Sequence, residues 1–324
     1  MNLTHLAAFH AVAEAGSVSA GAERLMVSQP AVSKQVRALE QSLGAALFDR
    51  LPKGVRLTEA GRALAAHARR LFAEADAAER AVAELRGLRR GRLAVGASMT
   101  IGSYLMPDVM ARFHRQYPGV ELHLEIANSH DVQERLLEHR LDVGLIEGFV
   151  ESPDELEAEV FASDEMVAVA PAGHPLTKRK SVSARTFCRE PFIAREPGSG
   201  TRAVVERALA AKGITVTPAM SIGGNQAIKL AVAAGAGVAI VSRLTIAQDL
   251  KLGTLAVVRL SDLTIRRPLY RLHPRGRHVS PAVRAFVESL MLGEADDARR
   301  ETRRGPKTRA ATPPHLRASV HGQR

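Results

Sequence analysis

Apolar positions recur at helical spacing through the first ninety residues, and in short continuous or alternating runs after that. Leu3, Leu6, Phe9, Val12 and Ala13 share one face of a helix over 3–15, which Gly16 and Ser17 end. Ser19 is a suitable cap for a short second helix over 20–25, where Ala20, Gly21 and Ala22 allow a close neighbour. Met26-Val27-Ser28 reads as a turn. Val32, Val36, Leu39 and Leu43 then follow at intervals of 4, 3 and 4, giving a third helix with one apolar stripe. Ser28 can cap it through its hydroxyl, Pro30 is tolerated in its first turn, and Gly44 suits a left-handed end. Its other face carries Gln29, Pro30, Ser33, Lys34 and Arg37, groups that reach base edges and phosphates. A short helix, a tight turn and a helix with one polar face form a helix-turn-helix.

Lys53-Gly54 reads as the tip of a hairpin between two short extended runs. Arg50, Lys53 and Arg56 place three cations on it, which makes it a basic wing rather than a merely solvated loop. Thr58 then caps a long Ala-rich helix over 59–88 that contains no proline. Leu64, Ala68, Leu71, Ala75, Ala78, Val82 and Leu85 repeat at alternating intervals of 4 and 3, the spacing of a coiled-coil seam. A dimerising helix is expected, against the alternative that it packs only on its own domain. Gly87 and Arg89-Arg90-Gly91-Arg92 mark a hinge.

From Leu93 the period changes. Runs at 93–97, 120–127 and 143–146 read as strands, separated by a helix within 101–117 and another over 132–139. This order predicts a parallel, doubly wound sheet. After an acidic crossover at 147–160, strands at 160–170, 192–194, 218–222, 238–241, 255–260 and 268–272 are expected. Helices at 201–212, 226–234 and 281–292 accompany them. Two α/β lobes joined by crossovers suit a hinged binding body with its ligand between them. The chain thus divides into 1–58, a winged helix-turn-helix; 59–90, a dimerising helix and hinge; and 91–293, a two-lobed body. Lobe I is expected from 91–161 and 267–293, lobe II from 162–266, and residues 294–324 as a disordered basic tail.

Composition adjusts this picture in three ways. The net charge of +11 suggests a polyanionic partner. Residues 1–60, however, hold six Lys/Arg against five Asp/Glu, so bulk basicity does not locate a DNA-binding face. The single cysteine, Cys188, rules out an internal disulfide or thiolate cluster and fits a reducing cytoplasm. No signal peptide and no run of membrane-spanning length is found, so a cytoplasmic protein without a membrane partner is expected.

Two loops are candidate ligand contacts: Ser98-Met99-Thr100 in the first lobe and Glu196-Pro197-Gly198-Ser199-Gly200-Thr201-Arg202 in the second. Each lies between a strand and a helix N-terminus, where unsatisfied N–H groups favour anions. Self-capping by Thr100 and Thr201 is the alternative. Gly235-Ala236-Gly237 follows a helix and precedes a strand, the wrong order for a dinucleotide loop. No GxSxG, Walker or HExxH motif occurs, and no nucleophile accompanies Glu196 and Arg202. Neither an enzyme nor a cofactor or metal site is expected.

The ordered series Ser19–Leu25, Val27–Ser33, Leu39-Glu40, Leu43-Gly44, Leu47–Arg50 and Leu57–Gly61 resembles the LysR-type transcriptional regulators. The likeness extends to about residue 293. Gly21 departs from it, standing where the family usually has Ala. The resemblance implies a winged helix-turn-helix, a dimerising linker helix and a periplasmic-binding-protein-like effector domain. It also implies a dimer or a tetramer of two dimers, bound to double-stranded DNA at a promoter dyad, with RNA polymerase as a further partner. By the same resemblance Gln29, Pro30 and Ser33 approach bases, while Lys34, Arg37, Arg50 and Arg56 lie on or near phosphates. Ser28 and Lys53 complete that set. The family's cleft matches Ser98, Thr100, Ser199, Thr201 and the crossover at Glu147-Gly148, with Met99 and Gly200 between them; a small anionic effector is expected there. The wording of 100–105 and 198–202 is similar to the branch that regulates sulfur assimilation and carbon fixation. A sensor or solute-binding protein without DNA function is the competing reading, and it leaves residues 17–57 unexplained.

Overall fold

The computed structural model describes residues 1–84 and 91–291, apart from the side chains of Arg50, Ala77 and residues 79–84. The hinge at Gly87, the seam residues Val82 and Leu85 and the tail at 294–324 lie outside the described residues or side chains.

Three helices, α1 (Leu3–Ala15), α2 (Val18–Leu25) and α3 (Gln29–Leu43), come first. Ser17 rather than Ser19 caps α2, accepting from the Ala20 N–H at 3.2 Å. Ser28 occupies the cap position of α3 without a side-chain hydrogen bond, so Pro30 and the packed stripe start that helix instead. Val32, Val36 and Leu39 are buried, but Leu43, in the last turn, is 43% exposed. Gly44 closes the helix at φ 66°. Gly21 faces Val12 so closely that a Cβ there would lie 2.8 Å from Val12 Cγ2, which explains a glycine inside a helix.

A hairpin of β1 (Phe48–Arg50) and β2 (Val55–Leu57) follows, pairing Asp49 with Arg56. The Val55 N–H donates to Gly16 O at 3.0 Å, tying the wing to the α1–α2 turn. Thr58 Oγ1 donates to Ala46 O (2.7 Å) and accepts from the Gly61 N–H (3.0 Å), joining the wing to α4 (Glu59–Glu84). The first half of α4 packs into its own domain: Ala65 and Ala68 are buried with Leu6, Phe9 and Leu39, beside Leu64 and Phe72. The proposed seam is therefore split. Leu64 and Ala68 belong to the domain core, while Leu71, Ala75 and Ala78 are exposed in this chain. Arg69 bonds Glu14 of α1 (3.2 Å) and Glu138 of the following domain (3.1 Å).

The second domain begins with β3 (Gly91–Ser98), α5 (Met99–Tyr104), α6 (Met106–Gln116), β4 (Val120–Ala127), α7 (Ser129–Leu137) and β5 (Val143–Glu147). The one helix expected within 101–117 is two, broken at Leu105. Strand β6 (Leu156–Pro171) is far longer than expected and absorbs part of the crossover. Next come α8 (Ala184–Phe187), β7 (Ile193–Arg195), α9 (Gly200–Ala210), β8 (Met220–Ile222) and α10 (Asn225–Ala233). The chain continues with β9 (Ala239–Ser242), α11 (Ala247–Leu252), β10 (Leu255–Val258), β11 (Ile265–Pro274) and a helix over 281–291.

One seven-stranded sheet runs in the order β10-β6-β11-β5-β3-β4, with β9 also on β6. The expected parallel order holds for β4, β3 and β5. Strand β11 is antiparallel to both β5 and β6, because it returns from lobe II to lobe I while β6 runs the other way. These two long strands pair from Ile265↔Met166 to Pro274↔Leu156 and carry the sheet from one lobe into the other. Apolar residues between 93 and 161, with 269–290, form one set of cores; those between 166 and 265 form the other. The polar residues between the two sets define the cleft.

Candidate functional site

The first candidate surface is the exposed side of α3 with the wing. Gln29, Pro30, Lys34 and Arg37 are exposed and Ser33 is half-buried, so the stripe of Val32, Val36 and Leu39 turns them outward together. Glu40 Oε1 accepts from the Leu47 N–H at 2.8 Å, fixing the wing's start against α3. Lys53 at the tip is exposed. Arg56 also points outward but pairs with Asp49 at 3.2 Å. Among the described residues, Lys34, Arg37 and Lys53 have no ion-pair partner.

The second site is the interlobe cleft. Ser98 and Thr100 lie at the C-terminal end of β3 and in the first turn of α5; Ser199, Gly200 and Thr201 lie at the start of α9. All five are buried, as are Glu147 and Gly148, while Met99 is half-buried. The structure therefore brings the two loops together. It does so around groups that the loop motifs did not indicate. Arg267 on β11 is 1% exposed and stands directly opposite Asp164 of β6 in register. Its Nε donates to Asp164 Oδ2 at 2.8 Å, and its Nη2 forms an ion pair with the same oxygen at 2.7 Å. Its Nη1 donates to Thr201 Oγ1 at 2.8 Å, its Nη2 to Thr100 Oγ1 at 3.4 Å, and Glu147 Oε1 lies 3.6 Å away. Burial pushes the Asp164 carboxyl above the usual aspartate range, against the pull of Arg267.

Neither threonine acts as a helix cap. Ser199 caps α9 by accepting from the Arg202 N–H, and Thr100 Oγ1 also accepts from Asn225 Nδ2 at 3.2 Å. Arg195 in turn holds Asn225 Oδ1 at 2.6 Å and grips Glu196 with two bonds of 2.7 Å. Burial raises the Glu196 carboxyl, and the Arg195 bonds more than reverse this, leaving it below the glutamate range. Helix α5 has six residues, so its dipole is small; α9, with eleven, is the stronger electropositive end. A cavity of about 390 Å³ opens beside the cluster, bounded by Ser129, Phe149, Glu151, Gly198, Ser199 and Arg202.

Sequence reasoning missed Asp164, Arg195, Asn225 and Arg267. The available signal was a charge set within an apolar strand, Ile265-Arg266-Arg267-Pro268-Leu269, where alternation turns one arginine inward.

A winged helix-turn-helix on a long helix, joined to a two-lobed body with a buried polar cleft, defines a DNA-binding regulator with an effector domain. Comparison with known proteins agrees. Residues 3–62 match the bacterial regulatory helix-turn-helix protein, lysR family, and residues 86–292 match the LysR substrate binding domain. The chain belongs to the LysR family of transcriptional regulators. It is 37% identical to the RuBisCO operon transcriptional regulator of Allochromatium vinosum, covering 91% of this chain and 97% of that protein. The full-length LysR family regulator CbnR, solved with its target DNA, superposes with a TM-score of 0.64 at 25% identity, over 90% of this chain and 99% of that one. The regulatory domain of CcmR from Synechocystis PCC6803, solved in complex with 2-PG, gives 0.59 at 27% identity, over 63% and 97%. Among the described residues, no helix is long and apolar enough to cross a membrane.

Proposed function

We propose that this regulator reads a promoter dyad through Gln29, Pro30 and Ser33, with Ser28, Lys34, Arg37, Arg50, Lys53 and Arg56 at or near phosphates. A small anion held between the lobes sets its DNA affinity or the bend it imposes. The observation that carries the effector reading is Arg267. It is a guanidinium buried between the lobes, bonded to hydroxyls from both candidate loops. A buried cation that holds a lobe I threonine and a lobe II threonine together couples anion binding to lobe position. The residues proposed to line the site are Ser98, Met99, Thr100, Glu147, Gly148, Ser199, Gly200 and Thr201, with Arg267 beside them. CcmR, solved with 2-PG, supports a small molecule as the ligand class.

DNA reading requires a pair of α3 helices, because one such helix spans few base pairs. The exposed Leu71, Ala75 and Ala78 of α4 are the surface for that pairing, which supports a homodimer and, through it, a tetramer. The same reading places the protein in the cytoplasm, beside RNA polymerase, and assigns it no catalytic step.

A thermal-shift panel of oxyanions and small carboxylates tests the effector reading. Stabilisation by at least one anion is expected, and Thr100→Val and Thr201→Val should each remove it. Stabilisation indifferent to both substitutions overturns the site.

A further inference from the structure

The groups that would greet an anion in the cleft already hold one. Glu147, at the end of β5, is 2% exposed. Its Oε2 accepts from Ser98 Oγ, and its Oε1 accepts from Thr201 Oγ1 at 3.4 Å and faces Arg267 Nη1 at 3.6 Å. We propose that Glu147 is a built-in competitor for the effector: its carboxylate occupies the anion position and must leave Arg267 and Thr201 before an effector anion can bind. The inference rests on the cleft being the effector site.

Charge makes coexistence unfavourable. The buried cluster contains two carboxylates, Glu147 and Asp164, against one guanidinium. The next charged groups, Arg195 with Glu196 and Lys229 with Asp249, are paired with each other and add no net charge. A third anion entering this poorly screened space without a departure is repelled.

Geometry says which carboxylate leaves. Asp164 is gripped by Nε and Nη2 of Arg267 and accepts from Ser242 Oγ at 2.9 Å. Glu147 meets the same arginine only at 3.6 Å, beyond hydrogen-bond distance, and at its other end depends on one serine hydroxyl. It is the weaker partner. The backbone of Glu147 also lies next to the cavity. The Glu147 carbonyl accepts from Ser129 Oγ, and Ser129 and Gly200 both border the 390 Å³ cavity.

Displacement also connects to lobe position. The Glu147 carbonyl lies where a Cβ on Gly200 would be only 1.9 Å away, so the end of β5 and the first turn of α9 are in close backbone contact. Moving Glu147 changes the support under α9. The device selects ligands too. A tethered carboxylate competes at high effective concentration. Anions with one weak acceptor are therefore excluded. A tetrahedral oxyanion, or a carboxylate carrying a second acceptor, can satisfy Arg267, Thr100 and Thr201 together and so displace it.

The test uses the full-length chain and inorganic sulfate, titrated at constant ionic strength against chloride and followed by melting temperature. Glu147→Gln keeps the side chain's shape and removes its charge. Its half-saturating sulfate concentration should fall by about tenfold or more relative to the parent, since one like charge in such a site is worth at least that. Glu147→Asp keeps the charge but draws it back from Arg267 and Thr201, and should lower it by a smaller factor. Equal or weaker sulfate binding by Glu147→Gln, or no sulfate shift in it at all, overturns the proposal. Should Glu147→Gln not fold, Glu147→Asp decides alone, and an unchanged or raised half-saturation overturns it. If Thr100→Val and Thr201→Val abolish sulfate binding while Glu147→Gln gains none, the cleft reading stands and this one fails. If sulfate binding ignores both threonines, the cleft itself is wrong.

Discussion

Gly148 and Gly200 meet backbone against backbone across the cleft. Gly148 adopts φ +105°, and a Cβ on it would lie 2.8 Å from Gly200 Cα; a Cβ on Gly200 would lie 1.9 Å from Glu147 O. Side chains here would hold the lobes apart. Gly200→Ala should therefore destabilise the effector domain by about 1–3 kcal/mol, the usual cost of overpacking. It should also abolish any ligand-induced stabilisation. Urea denaturation with and without an active anion checks both, and an unchanged midpoint would show that the lobes do not close on this contact.

Arg267 is the group whose removal should cost most. Arg267→Met leaves Asp164 and Glu147 buried without a counter-charge, a loss of about 3–5 kcal/mol. Arg267→Lys keeps the charge but cannot bond Asp164 through two nitrogens while also reaching Thr100 and Thr201, so it should fall between. The ordering of the three denaturation midpoints is the check. A Met variant as stable as the parent would mean that water reaches both carboxylates.

The proposed DNA surface separates into reading and positioning. Gln29→Ala should relax sequence preference, with a loss of ~1–3 kcal/mol confined to the cognate site. Arg56→Ala should weaken all sequences and lower the salt slope by about one unit. Asp49 holds Arg56 at 3.2 Å in the free protein, so Asp49→Asn should release it and tighten binding to cognate and random DNA alike. Footprinting across a salt series distinguishes the three. Equal loss on specific and random DNA for Gln29→Ala would remove it from the base-reading set.

His139 combines two local costs. It sits at φ 58°, and its buried Nδ1 has no hydrogen-bond partner among the described residues. Burial lowers its imidazole below the ordinary value of 6.5, with Arg277 acting in the same direction. The neutral form is thus favoured in the folded state. Its contribution to stability is complete above the unfolded value and is lost as pH falls through the lower folded one. Asn tolerates this backbone region, so His139→Asn should stabilise by roughly 1 kcal/mol near neutrality. It should also give a shallower decline on the acid side. His10 and His273 are shifted in the same direction, so the decline should shrink but not vanish. Melting temperature against pH for the two proteins is the measurement.

Local signals were readable where a residue's neighbours in the chain are also its neighbours in space. The stripe of Val32, Val36 and Leu39 fixed which face of α3 turns outward, and Thr58 marked the start of α4. The two loops at 98–100 and 199–201 stood out because each joins a strand to a helix. Sequence by itself therefore determined which side of α3 is exposed, the strand–helix alternation of the second domain and the meeting of the hydroxyls at 98–100 and 199–201. It could not decide between partners inside the long helix: Leu64 and Ala68 fit a coiled-coil seam, yet Leu6, Phe9 and Leu39 enclose them. Nor could it show that Arg267 faces Asp164, or that Glu147 accepts from Thr201. Those pairings join strands more than a hundred residues apart, or the end of one lobe to the start of the other. Only the antiparallel crossing of β6 and β11 brings such charges together, because a buried charge is tolerated only where the fold supplies its counterpart.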